Sequence, residues 1–293
     1  MTVYEKAYAK INLYLDVLGR RDDGFHDILS LMHSVSLCDA LTLSCTESDS
    51  TEITITTNDR ELPTDRSNIV YSAVETYLNY FGINAKVDIY LEKRIPVGAG
   101  LGGGSSDAAA TLRALNRVYH KADIDQLYDM AAELGSDIPF CISGGLCVCV
   151  SRGEMFTPVS ICDEACFVIS IGKERISTPK AYAALDRMYD DFKVGMSDET
   201  VANNEKIINL LNGREKNIPV YNIFEQVIRL DEIDTIKEIM TKSGAEFVLM
   251  SGSGPSVFGK FSNSFAAETA CESLNKAGFS AYSCHSVYPE VLI

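Results

Sequence analysis

Apolar and polar residues alternate from the start of the chain: Ala9, Ile11, Leu13 and Leu15 interleave with Tyr8, Lys10, Asn12 and Tyr14. A period of two is that of a strand, and its second face is polar and carries Lys10 and Asn12. Arg20-Arg21-Asp22-Asp23-Gly24 reads as a turn, after which apolar alternation resumes from Ile28 to Leu43. The β-branched residues between Thr51 and Thr57 predict a further strand. Ser67-Asn68 caps a helical pattern of Ile69, Val70, Ala73, Val74, Tyr77 and Leu78. Val87, Ile89 and Leu91 alternate with Asp88, Tyr90 and Glu92, which predicts a strand covered on one face only.

Beyond a glycine-rich run, Ala108, Leu112, Leu115 and Tyr119 recur at helical spacing, and Gln126 to Leu134 predicts a second helix stopped by Gly135. Pro139 restricts the residue before it, so that helix does not continue through Asp137. Apolar Phe140 to Val150, broken at Gly144-Gly145, predicts a return to strand. Composition shifts near Arg152-Gly153-Glu154, which places a domain boundary close to residue 155. The second part predicts a buried strand at Phe167 to Ile171 and helices at Thr200 to Leu211, Ile223 to Leu230 and Ile233 to Ser243. Phe247 to Met250 then leads into another glycine turn, followed by a helix from Ala266 to Ala277 and a strand from Phe279 to Val287.

A length of 293 residues fits about two domains, and 46% apolar with 23% charged residues suffices for a buried core. Charged residues interrupt every apolar stretch of the first thirty, so neither a signal peptide nor a membrane anchor is expected. The net charge of −15 disfavours a nucleic-acid or anionic-membrane surface, since both need clustered positive charge. Nine cysteines without a C-x-x-C pair predict reduced thiols and a cytoplasmic chain. The close pairs Cys147/Cys149 and Cys162/Cys166 read as core residues.

The run Pro96-Val97-Gly98-Ala99-Gly100-Leu101-Gly102-Gly103-Gly104-Ser105-Ser106 packs five glycines into seven residues and enters a helix. Glycines permit positive φ and close backbone approach, and a helix start adds unsatisfied amides, so the run reads as a phosphate cradle. Gly98-x-Gly100-x-x-Gly103 fits the dinucleotide pattern in letters only: the strand before it is half polar and Pro96 interrupts it. No G-K-[ST] ends the loop, and the protein-kinase H-R-D and D-F-G sets are absent.

Three spaced segments resemble the motifs of the GHMP kinases, a superfamily of small-molecule kinases: Ala7 to Leu13, Pro96 to Ala110, and Met250-Ser251-Gly252-Ser253-Gly254-Pro255-Ser256. Gly24-Phe25-His26, the glycines at 102 to 104 and Gly135-Ser136-Asp137-Ile138-Pro139-Phe140 are similar to the branch that phosphorylates a cytidine diphosphate-linked methylerythritol in the non-mevalonate isoprenoid route. The resemblance implies an α+β chain of two domains. Residues 1–155 would form a nucleotide domain of the kind shared with ribosomal and other RNA-associated proteins, and 156–293 a ferredoxin-like α/β domain completing the cleft. It implies ATP as co-substrate, Mg²⁺ with no protein carboxylate cluster to hold it, and a small-molecule partner; it sets no oligomeric state.

Site residues follow from the same resemblance. Asp137, which by itself reads as a turn or cap residue, would accept the proton of the attacking hydroxyl, with Lys10 paired to it. The glycine run with Ser105, Ser106, Asn68 and Lys93 would hold the nucleotide, although the two serines and Asn68 equally suit helix caps. Asp107, placed in the first helical turn, suits the dipole. Phe25 and Tyr182 would stack on the pyrimidine while His26 hydrogen-bonds its edge, with Asn12 and Thr178 as further substrate contacts. Phe25 stands where the branch usually has tyrosine, and Val220 to Glu225 follows its C-terminal motif only loosely. The alternatives are another kinase of the superfamily, of homoserine or mevalonate type, and a non-catalytic nucleotide- or RNA-binding protein.

Overall fold

Two long strands organise the first half of the chain in the computed structural model, which describes residues 1–160, 164–189 and 198–288. β1 (Thr2–Arg20) pairs antiparallel with β2 (His26–Glu47) from end to end, and the Arg21 to Phe25 turn joins them. β2 is long enough to change neighbours: Ala40 to Glu47 pairs with β4 (Ala85–Glu92), whereas Ile28 to His33 pairs with β5 (Leu146–Ser151). β3 (Glu52–Thr57) lies parallel to β4 across the helix α1 (Ile69–Phe81), and β6 (Met155–Pro158) extends β5. β8 (Tyr221–Asn222), far along the chain, completes this seven-stranded sheet beside β1.

Helix α1 starts where Asn68 Oδ1 accepts the Val70 amide and ends at Gly82 in the left-handed region. α2 (Gly103–Tyr119) and α3 (Ile124–Leu134), the latter closed by an Asp123/Gln126 capping box, pack with α1 onto the sheet. Leu112 and Leu115 of α2 meet Leu41, Val87 and Leu91 in this core. From Ala9 to Val17, β1 is buried on both faces. There Ile11 and Leu13 share a core with Phe167, Ile169 and Phe258, and Leu15 and Val17 share another with Val168, Leu185 and Phe224.

Phe167, Val168, Ile169 and Phe258 come from a four-stranded antiparallel sheet of β7 (Cys166–Ile171), β9 (Phe247–Met250), β10 (Val257–Phe261) and β11 (Ser280–His285), ordered β11-β7-β10-β9. α5 (Thr178–Tyr189), α6 (Asp198–Leu211) and α7 (Asp231–Lys242) connect β7 to β9, and α8 (Ser264–Lys276) connects β10 to β11. A strand order of four-one-three-two with helical crossovers is the ferredoxin-like arrangement. The whole is α+β.

Several local expectations change. Ile138–Ser143 is helix α4 and not strand, because Pro139 sits in its first turn, where no amide is needed; the strand starts only after Gly144 and Gly145, both at positive φ. Ile223–Gln226 is a single 3₁₀ turn and not a helix reaching Leu230. α2 begins at Gly103, with Gly102 as its cap residue, so neither Ser105 nor Ser106 caps it. Asp107 accordingly lies outside the first turn, which has no acidic residue. Cys147 and Cys149 are buried in β5 and Cys166 lies in β7, whereas Cys162 is outside the described residues. Among the described residues no helix is long and apolar enough to cross a membrane.

Leu115 is fully buried where α2 meets the sheet. Leu115→Ala is expected to cost about 2–5 kcal/mol through lost transfer energy and an unfilled cavity. Urea denaturation checks this, and a loss below about 1 kcal/mol would mean that the α2 contact collapses to fill the space.

Candidate functional site

The glycine run alternates in conformation as well as in composition. Gly98, Gly100 and Gly102 have φ of 68°, 77° and 68°, while the intervening Ala99 and Leu101 are buried in the core beside Ile95. Alternating signs of φ turn successive amides toward one side and make a concave anion nest, which the free amides of the α2 N-terminus extend. The carbonyls go the other way. Leu101 O accepts the Lys10 amide at 2.9 Å, Gly100 O the Ser251 hydroxyl at 3.2 Å, and Ala99 O the Ser256 hydroxyl at 2.6 Å. A Cβ on Gly100 would lie 2.5 Å from the Ser251 carbonyl oxygen, so the two loops fit only with glycine there. Asn222 secures the Met250 to Ser256 loop by donating to the Met250 and Gly252 carbonyls at 2.7 and 2.8 Å, and Glu225 accepts the Met250 amide at 2.7 Å.

The run separates two cavities that share Gly100 and Gly102. One, of about 410 Å³, is lined by Pro96 to Ser105 with Ser67, Asn68, Lys93 and Asp107. The other, of about 530 Å³, is lined by Lys10, Asn12, Phe25, His26, Asp137, Thr178 and Tyr182. Both catalytic candidates and all five substrate-contact candidates therefore converge on one cavity, and the nucleotide candidates other than Ser106 line its neighbour.

Lys10 emerges from a stretch of β1 where the pairing register slips on either side of it, between Tyr8 and Lys10 and between Asn12 and Tyr14. Such irregularities re-aim side chains. The predicted polar face is not solvated: Lys10 is 5% and Asn12 1% exposed. Gly102 leaves room for the lysine stem, since a Cβ there would lie 2.8 Å from Lys10 Cγ. The ammonium donates to Asn12 Oδ1 at 2.7 Å and lies 3.4 Å from Asp137 Oδ2. Asn12 in turn donates to Ser30 Oγ, which donates to the Tyr14 carbonyl, so each member of the chain is held by the next. Asp137 occupies the cap position of α4 but makes no capping bond, and its carboxylate remains turned to Lys10.

At the far end of this cavity His26 stacks on Tyr182, with ring centroids 4.7 Å apart and an interplanar angle of 27°. Burial, and secondarily the charge of Asp137, raise the Tyr182 phenol far above its ordinary pKa. Phe25 is half exposed beneath the Arg152 guanidinium, 5.0 Å from the ring centroid. Thr178 Oγ1 is 2.9 Å from Ser253 Oγ across the cavity wall. Arg152, Asp186, Phe224 and Ser253 line the cavity too, and none of them was among the predicted site residues. Nothing in local spacing marks them; for Ser253 its place in the third glycine segment was a usable signal.

Three nucleotide candidates have structural partners. Asn68 caps α1 and donates to the Pro63 carbonyl at 2.7 Å. The Ser106 hydroxyl is buried and donates to the Tyr8 carbonyl at 2.5 Å, away from the glycine-loop cavity. Lys93 binds both Asp39 and Asp107 beneath the loop.

Residues 68–145 match the N-terminal domain model of GHMP kinases, and 221–280 the C-terminal one. The 4-diphosphocytidyl-2-C-methyl-D-erythritol kinase of Alkaliphilus metalliredigens is 39% identical over 273 residues, covering 92% of this chain and 91% of its own. That of Bacillus pumilus is 40% identical over 262 residues, covering 88% of each. The chain belongs to the 4-diphosphocytidyl-2-C-methyl-D-erythritol kinase family. A crystal structure of 4-(cytidine 5'-diphospho)-2C-methyl-D-erythritol kinase is 34% identical and superposes with a TM-score of 0.78 over 97% of this chain and 99% of that one. A homoserine kinase from Cytophaga hutchinsonii, 20% identical with a TM-score of 0.69 over 97% of this chain and 95% of its own, shares the fold.

In this member of the kinase family, no group of three or more His, Cys, Asp or Glu among the described residues could hold a metal ion. The side-chain oxygens at the glycine-loop cavity are those of Ser67, Asn68, Ser105 and Asp107, and Asp107 Oδ1 is buried without a hydrogen-bond partner. This set fits a divalent ion carried mainly by phosphate oxygens and completed by one or two protein oxygens.

The Asp39–Lys93–Asp107 group carries one surplus negative charge if fully ionised. Burial, opposed by Lys93 and reinforced by the charge of Asp39, pushes the Asp107 carboxyl up to about 8 from 3.8. Lys93 itself is raised: burial works against its charge, and Asp107 and Asp39 outweigh that. A carboxyl that holds its proton more tightly folded than unfolded makes stability fall as pH rises between those two values. The wild-type urea midpoint is therefore expected to decline from about pH 5 to about pH 8, and that of Asp107→Asn to decline less. Equal slopes would show that Asp107 is ionised throughout.

Proposed function

We propose that this chain is a cytoplasmic kinase that transfers the γ-phosphoryl group of ATP to the 2-hydroxyl of 4-diphosphocytidyl-2-C-methyl-D-erythritol, serving isoprenoid precursor synthesis by the non-mevalonate route. What carries the reading is the Lys10/Asp137 pair, 3.4 Å apart, on the opposite side of the glycine wall from the amide-lined cavity. Phosphoryl transfer needs positioning and electrostatic stabilisation more than covalent chemistry, and a nest facing one substrate with a base facing the other meets that need.

In this reading the triphosphate lies against the amides of Gly98 to Ser105, next to Asn68 and Lys93, and the acceptor occupies the larger cavity. Asp137 accepts the proton of the attacking hydroxyl. Lys10 orients that hydroxyl and offsets charge developing on the transferred group. Ser106, whose hydroxyl donates to the Tyr8 carbonyl and whose amide donates to the Gly102 carbonyl, contributes by fixing α2 against β1. Phe25 and Tyr182 offer aromatic faces to the cytosine, His26 its ring nitrogens, and Asn12 and Thr178 polar atoms nearer the sugar alcohol. Arg152, at the same wall, suits the diphosphate. Mg²⁺, bound to the ATP phosphates with Ser105 and Asp107 as the available protein oxygens, would supply charge neutralisation between the phosphoryl groups. A two-domain division near residue 155 would put the nucleotide side in one domain and Thr178 and Tyr182 in the other.

A coupled ADP-release assay over cytidylated methylerythritol, mevalonate and homoserine tests the assignment: turnover of the cytidylated alcohol alone is expected, and turnover of another acceptor alone would overturn it. Asp137→Asn is expected to lower kcat by about 10²- to 10⁴-fold with KM nearly unchanged. Near-normal kcat would remove Asp137 from the base role. His26→Ala is expected to raise KM for the cytidylated alcohol about tenfold, equivalent to the loss of one good hydrogen bond, and unchanged calorimetric affinity would contradict it.

A further inference from the structure

The imidazole of His26 is held from outside its own strand. Its Nε2 lies 2.7 Å from Asp186 Oδ1, and a carboxylate at that distance only accepts, so Nε2 carries the hydrogen. His26 is the first residue of β2, and Asp186 lies in α5, 160 residues later. Tyr182, one helical turn before Asp186, stacks on the same imidazole, so two successive turns of α5 fix the ring in plane and in rotation. Arg20 Nη1, 3.9 Å from Asp186 Oδ2, offsets the carboxylate charge from the other side.

We propose that Asp186 is a positioning residue for pyrimidine recognition, fixing the orientation and tautomer of His26 so that the ring discriminates between a 4-amino and a 4-oxo pyrimidine. The inference rests on the reading that His26 meets the cytidine end of the acceptor. A ring whose one hydrogen is on Nε2 has its lone pair on Nδ1. An acceptor nitrogen matches the exocyclic amino group of cytosine and opposes the carbonyl that uracil has in its place. Without the carboxylate the other tautomer becomes accessible and the opposition is lost. Asp186 touches neither the phosphoryl group nor the attacking hydroxyl in this scheme, so its effect belongs in acceptor affinity and selectivity.

Steady-state kinetics of wild type, Asp186→Ala and Asp186→Asn, with cytidine- and uridine-diphosphate-linked methylerythritol as alternative acceptors, provide the test. In Asp186→Ala, KM for the cytidylated acceptor is expected to rise about tenfold, the usual consequence of leaving a buried polar partner unmatched. KM for ATP should stay the same, and the cytidine-over-uridine ratio of kcat/KM should fall by a similar factor. Asp186→Asn, whose amide oxygen still accepts from Nε2, should recover much of that ratio and is close enough in shape to fold. An unchanged ratio in both variants, or a KM for ATP that rises in parallel, would overturn the proposal. A wild-type enzyme that turns over neither acceptor would instead refute the reading on which it rests.

Discussion

Everything at this site depends on where the glycine run puts its carbonyl groups. A peptide has one donor and one acceptor on opposite edges, so amides converge on a ligand only if the carbonyls behind them are satisfied elsewhere. Here three neighbouring residues supply the partners: the Lys10 amide for Leu101, the Ser251 hydroxyl for Gly100 and the Ser256 hydroxyl for Ala99. The partners come from β1 and from the loop between β9 and β10, so the conformation of one loop draws together segments some 240 residues apart. Asn222 and Glu225, which tie down the β9 end of that loop, extend the same dependence to the β8 edge of the large sheet.

Beneath the loop, the Asp39 carboxylate accepts the Arg94 and Ile95 amides at 2.5 and 2.8 Å while also binding Lys93. These are the residues that lead from β4 into Pro96, so the entry of the run is fixed by a buried ion group and its exit by packing of α2. Burying three charged side chains is costly unless each is matched. The unpartnered Asp107 Oδ1 shows that the match is incomplete, and the raised carboxyl is the physical response.

Much of this was legible in the residue pattern. Strands announced themselves where one face stayed wet, as in β4, and the glycine run declared its chemistry because glycine alone adopts such dihedrals repeatedly at no steric cost. The pattern misled where tertiary context decided. Lys10 and Asn12 read only as a polar face, because alternation says which residues share a side and not what covers it. Pro139 read as a stop, although the same ring is at home in the first turn of α4. Asp39 and Asp186 were not marked as functional, since each acts on a side chain more than 50 residues away, and Asn222 showed only through the loose motif match of Val220 to Glu225. The resemblance of short segments to a known kinase branch, at Ala7 to Leu13, Gly24 to His26 and Gly135 to Phe140 among them, carried the assignment of Lys10, Asn12, Phe25, His26, Asp137, Thr178 and Tyr182 to one site, which spacing by itself could not have produced.

Gly100 and Gly102 border both cavities, so the partition between them is a single strand of backbone with no side chain to spare. Its consequence is genetic. Residues owned by one cavity, such as Phe25 or Val97, are free to drift and adjust that side alone, whereas a change at either shared glycine is felt on both sides at once. Divergence in this fold must therefore proceed through the outer walls, with the partition held constant while what lies on either side of it is exchanged.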